Sequence, residues 1–105
     1  LLDLTCVLKR ATSIDEIKAA VKLAAEEEFE GLVRYTDDPV VSSDFIGDPS
    51  SLIFDSAAAI ATSPTLVKLL AWYDNEWGYS CRVVDMMSHM WEADKMKQGL
   101  ENPVA

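Results

Sequence analysis

Within its first 25 residues the chain changes hydrophobic period, and that change limits its fold class more than any other feature. Leu2, Leu4, Cys6 and Leu8 recur at every second position, the mark of a strand with one face on a core. From Ser13 the apolar residues instead fall at Ile14, Ile17, Val21, Ala24 and Ala25, the spacing of an amphipathic helix. Ser13 and Glu16 stand as a capping box, with the Ser13 hydroxyl expected to accept the Glu16 amide and the Glu16 carboxylate to return to the Ser13 amide. The glutamates at 26, 27 and 28 sit where the helix dipole disfavours negative charge, and Gly31 is expected to end the helix.

Period-two and turn signals then alternate. Leu32 to Thr36 reads as a second strand, Asp37-Asp38-Pro39 as a turn, and 42–51 as a Ser-, Asp-, Gly- and Pro-rich loop. Leu52-Ile53-Phe54 opens a strand that Ala57 to Ala61 is expected to continue. Thr62 to Thr65 reads as a hairpin turn before the apolar strand Leu66 to Tyr73. A last helix is expected from about Tyr79 to Lys97, with Val83, Met86, Met87, Met90 and Trp91 as its apolar stripe. Gln98 to Ala105 reads as a tail. A strand, a helix, a run of strands and a helix predict an α+β fold with a mainly antiparallel sheet.

Composition removes whole classes of partner. With 18 acidic against 9 basic residues the net charge is −9, which repels nucleic-acid phosphates and anionic headgroups. Apolar runs are far shorter than the roughly 20 residues of a membrane-spanning helix. Two cysteines, Cys6 and Cys81, among 105 residues predict a reducing compartment rather than a disulfide scaffold. The opening Leu-Leu-Asp-Leu-Thr has neither an initiator Met nor a signal pattern. It reads as an entry in mid-strand, so the chain is expected to be part of a longer polypeptide.

No complete catalytic set can be assembled from the residues. Cys6 on a strand face reads as a buried structural thiol. Cys81 lies where a helix dipole and Arg82 could activate it, but no base is placed for it. His89, the only histidine, reads as a solvated partner of Asp85, four residues earlier, and one His without clustered Cys leaves no zinc set. Asp37 with Asp38, and Asp44 with Asp48, are expected to cap backbone amides rather than act as paired carboxylates. One segment differs in kind. Trp72-Tyr73-Asp74-Asn75-Glu76-Trp77-Gly78-Tyr79-Ser80 packs four aromatics with Asp, Asn and Glu at a strand-to-helix junction. It can stack on a planar ring while an amide pairs with the ring's substituent, or it can plug the docking of the last helix on the sheet.

That segment, continued through Cys81-Arg82-Val83-Val84-Asp85, resembles the C-terminal signature of the phosphorylating glyceraldehyde-3-phosphate dehydrogenases. Asp3-Leu4-Thr5, Tyr35 to Phe45 and Ile53-Phe54-Asp55 fit the same family in the same order, so the resemblance spans residues 1 to 92. It implies an oxidoreductase that converts glyceraldehyde 3-phosphate and phosphate to 1,3-bisphosphoglycerate with NAD, or NADP, and that works as a cytoplasmic or plastid homotetramer. It further implies that Asn75 hydrogen-bonds the nicotinamide carboxamide, Tyr79 packs beside the ring, and Glu76 positions the turn. Residues 1–73 then correspond to the latter half of the catalytic domain, a sheet with helices on one face. Residues 74–97 correspond to the nicotinamide-side turn and a helix that docks on a dinucleotide-binding domain elsewhere in the same polypeptide, and 98–105 to a tail. Leu52 departs from the small polar residue usual in the family.

The family's Ser-Cys-Thr-Thr-Asn nucleophile motif and its partner histidine do not occur here, and Cys6, Cys81 and His89 do not inherit those roles. The expectation is therefore an enzyme part that is inactive alone. The alternative is a separately encoded remnant that serves as a structural or interaction module.

Overall fold

The structure, a computed structural model, describes residues 1–98; the expected tail beyond Gln98 lies outside the described residues. β1 (Leu2–Val7), α1 (Ile14–Glu26), β2 (Val33–Thr36), a 3-10 turn at Ser42–Phe45, β3 (Leu52–Asp55), β4 (Ile60–Ser63), β5 (Leu66–Trp72) and α2 (Trp77–Lys97) follow in chain order. The α+β class and the mainly antiparallel sheet stand. β5 is the hub. It pairs antiparallel with β1 along its length, from Leu2 opposite Ala71 to Val7 opposite Leu66. Its other edge is shared by β3 at Ala71 and Trp72 and by β4 at Leu66 to Lys68. Among the described residues only β2, on the far side of β3, runs parallel to its neighbour.

The two faces of the sheet are covered differently. On one, Leu4 and Leu69, Leu2 and Ala71, and Phe54 and Tyr35 lie in register, and α1 lies over them with Val21 and Ala24 facing inward. This cover is partial, so an apolar groove of about 270 Å³ remains between α1 and the sheet. On the other face the 42–51 loop folds over β3. Phe45 stacks on Trp72 with ring centroids 6.0 Å apart, and Ile53 beneath them is wholly buried. Asp55 on the same face is buried, and its carboxylate accepts the Trp72 indole N–H at 2.9 Å, which meets the requirement that a buried carboxylate be hydrogen-bonded.

Several local expectations needed correction. The Ser13 hydroxyl accepts the Glu16 amide at 3.2 Å, but the Glu16 carboxylate accepts the Thr12 hydroxyl at 2.6 Å instead of returning to Ser13; a nearer hydroxyl donor took it. α1 stops at Glu26, five residues before Gly31. Consecutive glutamates face the negative end of the dipole, and the chain turns through Phe29 to Gly31, whose φ of +79° suits only glycine without strain. Ala57 to Ala61 does not continue β3. Asp55 accepts the Ala58 amide at 3.3 Å and closes a turn, so β4 is a separate strand. The expected hairpin is present, with Pro64 and Thr65 joining the paired Ser63 and Leu66.

α2 starts at Trp77 rather than Tyr79, for a reason given below, and projects from the body. The radius of gyration, 17.4 Å, exceeds the roughly 13 Å of a compact chain of this length. Met86, Met87, Met90 and Trp91 are all more than half exposed, so the stripe exists and is left largely in solvent.

Candidate functional site

The strand-to-helix junction between β5 and α2 brings several polar groups into a defined geometry. β5 ends at Trp72, and Tyr73 to Glu76 cross to the helix. Asp74 makes this turn. One carboxylate oxygen accepts the Glu76 amide at 2.9 Å and the Trp77 amide at 3.0 Å, so the residue caps the helix start in place of the formal cap position, Glu76. That is why α2 begins two residues earlier than its apolar spacing implies. The second oxygen accepts the Gly47 amide at 2.7 Å and joins the turn to the 42–51 loop.

These three N–H donors favour the ionised carboxylate and hold the Asp74 carboxyl below its ordinary value of 3.8, the Gly47 amide contributing most. A carboxyl whose folded value lies below its unfolded one stabilises the fold above the unfolded value, and that stabilisation disappears as pH falls through the folded one. The turn is therefore expected to hold down to about pH 4 and to loosen below it. Exchange protection of the Gly47, Glu76 and Trp77 amides, followed from pH 6 to pH 2.5, checks this; protection independent of pH would contradict it.

Asn75 stands at the crest of the turn, exposed, and its carboxamide has no hydrogen-bond partner among the described residues. A hollow of about 290 Å³ lies on one side, against Ser42, Phe45 and Ile46. Another of about 320 Å³ lies on the other, against Ser51, Tyr79 and Arg82. Tyr73 borders both. Tyr79, 74% exposed, lines the second hollow. A carboxamide carries a donor and an acceptor side by side, the complement of another carboxamide. The arrangement can hold a flat, amide-bearing ring beside an aromatic wall.

The expected site residues thus come together: Asn75 and Tyr79 share one hollow, and Glu76 lies between them in the chain. Glu76 is exposed and takes part through its backbone, its carbonyl accepting the Ser80 hydroxyl at 2.7 Å and its amide donating to Asp74. Sequence reasoning passed over two contributors. Asp74 was seen only as part of the motif, although Asp two and three positions before a helix's first amides is a capping signal. Gly78 was also missed. A Cβ there would lie 2.5 Å from the Ser50 carbonyl oxygen, so only glycine lets α2 rest on the loop. No spacing in the sequence announces that contact.

The remaining candidates fall elsewhere. Cys6 and Cys81 are free thiols of intermediate exposure. Asp85 is taken by Arg82, whose Nε donates to it at 2.9 Å, so His89 stands exposed without the expected Asp85 pairing. Asp44 accepts the Val41 amide, and Asp48 accepts the Ser50 amide while pairing with Arg34, which are capping roles. Among the described residues no cluster of three His, Cys, Asp or Glu side chains could hold a metal ion, and no helix is long and apolar enough to cross a membrane.

Comparison with known proteins bears on this junction. The sequence model of the family described as glyceraldehyde 3-phosphate dehydrogenase, C-terminal domain, matches residues 1–75. The glyceraldehyde-3-phosphate dehydrogenase of Schistosoma mansoni is 56% identical over 92 residues, which are 88% of this chain and 27% of that protein. Glyceraldehyde-3-phosphate dehydrogenase 2 of Saccharomyces cerevisiae is 57% identical over 91 residues, 87% of this chain and 27% of that protein. The cytosolic enzyme of Pinus sylvestris is 57% identical over 88 residues, 84% of this chain and 26% of that protein. The chain therefore spans about a quarter of the length of the curated relatives it matches.

Proposed function

This chain belongs to the glyceraldehyde 3-phosphate dehydrogenase family, and we propose that it supplies the nicotinamide-orienting turn of such an enzyme. The observation that carries the proposal is the unpartnered Asn75 carboxamide between two hollows, with the Tyr79 ring beside it. A nicotinamide fits this chemistry, because its carboxamide can exchange hydrogen bonds with Asn75 while its ring lies along Tyr79. NAD, or NADP, supplies hydride acceptance when bound. Asn75 would fix which ring face meets the substrate, Tyr79 would limit the tilt of the ring, and Glu76 would hold the turn between them through its backbone.

The rest of the reaction belongs to other parts of the polypeptide. The parent enzyme would oxidise glyceraldehyde 3-phosphate and capture phosphate to give 1,3-bisphosphoglycerate, through a nucleophile this chain does not contain. Residues 1–73 serve in this reading as the latter half of the catalytic domain. Residues 74–97 carry the nicotinamide-side turn and place the apolar stripe of α2 on a dinucleotide-binding domain. The enzyme would be a cytoplasmic homotetramer, in keeping with the relatives named as cytosolic.

Given glyceraldehyde 3-phosphate, NAD and phosphate, the 105-residue chain alone is expected to produce no NADH. Turnover above the protein-free rate would overturn the assignment of the nucleophile elsewhere. The exposed stripe of α2 also suits a separately encoded interaction module, and native mass separates the two readings. Since 92 residues are 27% of the Schistosoma relative, the enzyme reading predicts a polypeptide of about 38 kDa at this chain's mass per residue. A native product of 11.6 kDa would favour the module.

A further inference from the structure

We propose that Asp74 is the positioning residue of the Asn75 site, using the 46–51 loop as the platform against which it aims the Asn75 carboxamide. This inference rests on the reading of Asn75 as the group that meets the nicotinamide.

The argument begins with what does not hold Asn75. Its side chain is exposed and makes no hydrogen bond among the described residues, so its direction is inherited from the backbone of the turn. The residues after it are fixed by one Asp74 oxygen, through the Glu76 and Trp77 amides. That bond pair sets the local fold of the turn but not where the turn points. Direction comes from the other Asp74 oxygen and the Gly47 amide, 27 positions away in sequence. A carboxylate that bridges a local turn to a distant segment fixes orientation as well as shape.

Two further contacts bring the same loop to the same helix end. Gly78 approaches the Ser50 carbonyl too closely for any side chain, and the Arg82 guanidinium donates to the Ser51 hydroxyl at 3.1 Å. The loop itself is anchored beneath by Asp48, buried, paired with Arg34 and accepting the Ser50 amide. Gly47 is thus presented by a segment that is held from below, and Asp74 transmits that placement to Asn75. Glu76 makes no comparable side-chain tie among the described residues.

The two oxygens can be separated by substitution. Asp74→Asn retains one carbonyl oxygen able to accept the Glu76 and Trp77 amides, since Asn caps helices as well as Asp does. Its amide nitrogen cannot accept from Gly47. Asp74→Ala loses all three bonds.

The test reads amide exchange in the 15N-labelled chain, well below the melting temperature, and NAD kinetics in the Saccharomyces cerevisiae relative with this chain's 91 matched residues exchanged for its own. In Asp74→Ala, exchange protection at Gly47, Glu76 and Trp77 should fall at least tenfold and the Asn75 side-chain amide resonances should move. In Asp74→Asn, protection should return at Glu76 and Trp77 but not at Gly47, and the Asn75 resonances should remain displaced. In the exchanged enzyme, KM for NAD should rise severalfold in both variants, and binding should weaken accordingly. A merely structural role would lower the melting temperature and leave the Asn75 resonances and binding unchanged, which would overturn the proposal. Asn75 resonances restored by Asp74→Asn would also overturn it, since the Gly47 bond would then not set direction. If Asn75→Ala leaves the cofactor kinetics of the exchanged enzyme unchanged while the amide pattern appears as described, the nicotinamide reading fails and the positioning role of Asp74 stands.

Discussion

Replacing Gly78 with alanine is expected to destabilise the chain by about 1 to 3 kcal/mol, the usual range for forcing an extra carbon into a filled space. For a domain of this size that lowers the melting temperature by roughly 5 °C or more. The sign makes the prediction sharp. Glycine within a helix is ordinarily about 1 kcal/mol worse than alanine, so propensity alone predicts stabilisation at this helical position. The structure predicts the reverse, because the new Cβ would sit 2.5 Å from a backbone carbonyl oxygen that no side-chain rotation can move. Either α2 or the 50–51 segment must retreat, and Arg82 then loses its reach to Ser51. Calorimetry on the two chains decides the matter, and an alanine variant as stable as the parent would show that helix and loop are not in contact.

Asn75→Ala is expected to divide stability from function in the opposite way. The side chain is exposed, so its removal should change stability by no more than about 0.5 kcal/mol. If it makes one or two hydrogen bonds to a carboxamide, at roughly 1.5 kcal/mol each, kcat/KM for the cofactor should fall roughly 10- to 150-fold. The measurement needs the rest of the enzyme. The Saccharomyces cerevisiae relative provides it, with this chain's matched 91 residues exchanged for its own. A fall in melting temperature with unchanged cofactor kinetics would instead make the aromatic cluster a plug between helix and sheet.

What the sequence could and could not disclose follows from the range of each interaction. The alternation through Leu2 and Leu4, the apolar strand Leu66 to Tyr73 and the α1 stripe were readable because strand and helix periods depend only on near neighbours. The Pro64-Thr65 hairpin was readable because its turn chemistry is local. The boundary errors arose where a contact from a distance, or a competing donor, decided the outcome. Glu16 found the Thr12 hydroxyl instead of the Ser13 amide. Asp55, held by Trp72 from another strand, ended β3 before the alanines could extend it. At the site, the residue types of Asn75, Tyr79 and Glu76 were conspicuous. The frame that orients them was hidden, since Gly47, Ser50 and Ser51 are ordinary loop residues until the fold sets them against Asp74, Gly78 and Arg82.

The partial cover on both α1 and α2 agrees with a chain that spans a quarter of its relatives. An apolar groove between α1 and β1 and a bare stripe on α2 are liabilities at roughly 1.5 to 3 kcal/mol per large side chain left in water. In the proposed enzyme the dinucleotide-binding domain covers the second of them and, by the same contact, brings the nicotinamide to Asn75.

The central claim is that Asn75 orients a nicotinamide, and the stereochemistry of hydride transfer tests it most directly. In the exchanged enzyme, substrate deuterated at the aldehyde carbon should label a single face of the nicotinamide ring. With Asn75→Ala, deuterium should appear on both faces, because nothing would then hold the carboxamide in one of its two orientations. Label confined to the original face in the variant would contradict the account, whatever happened to the rate.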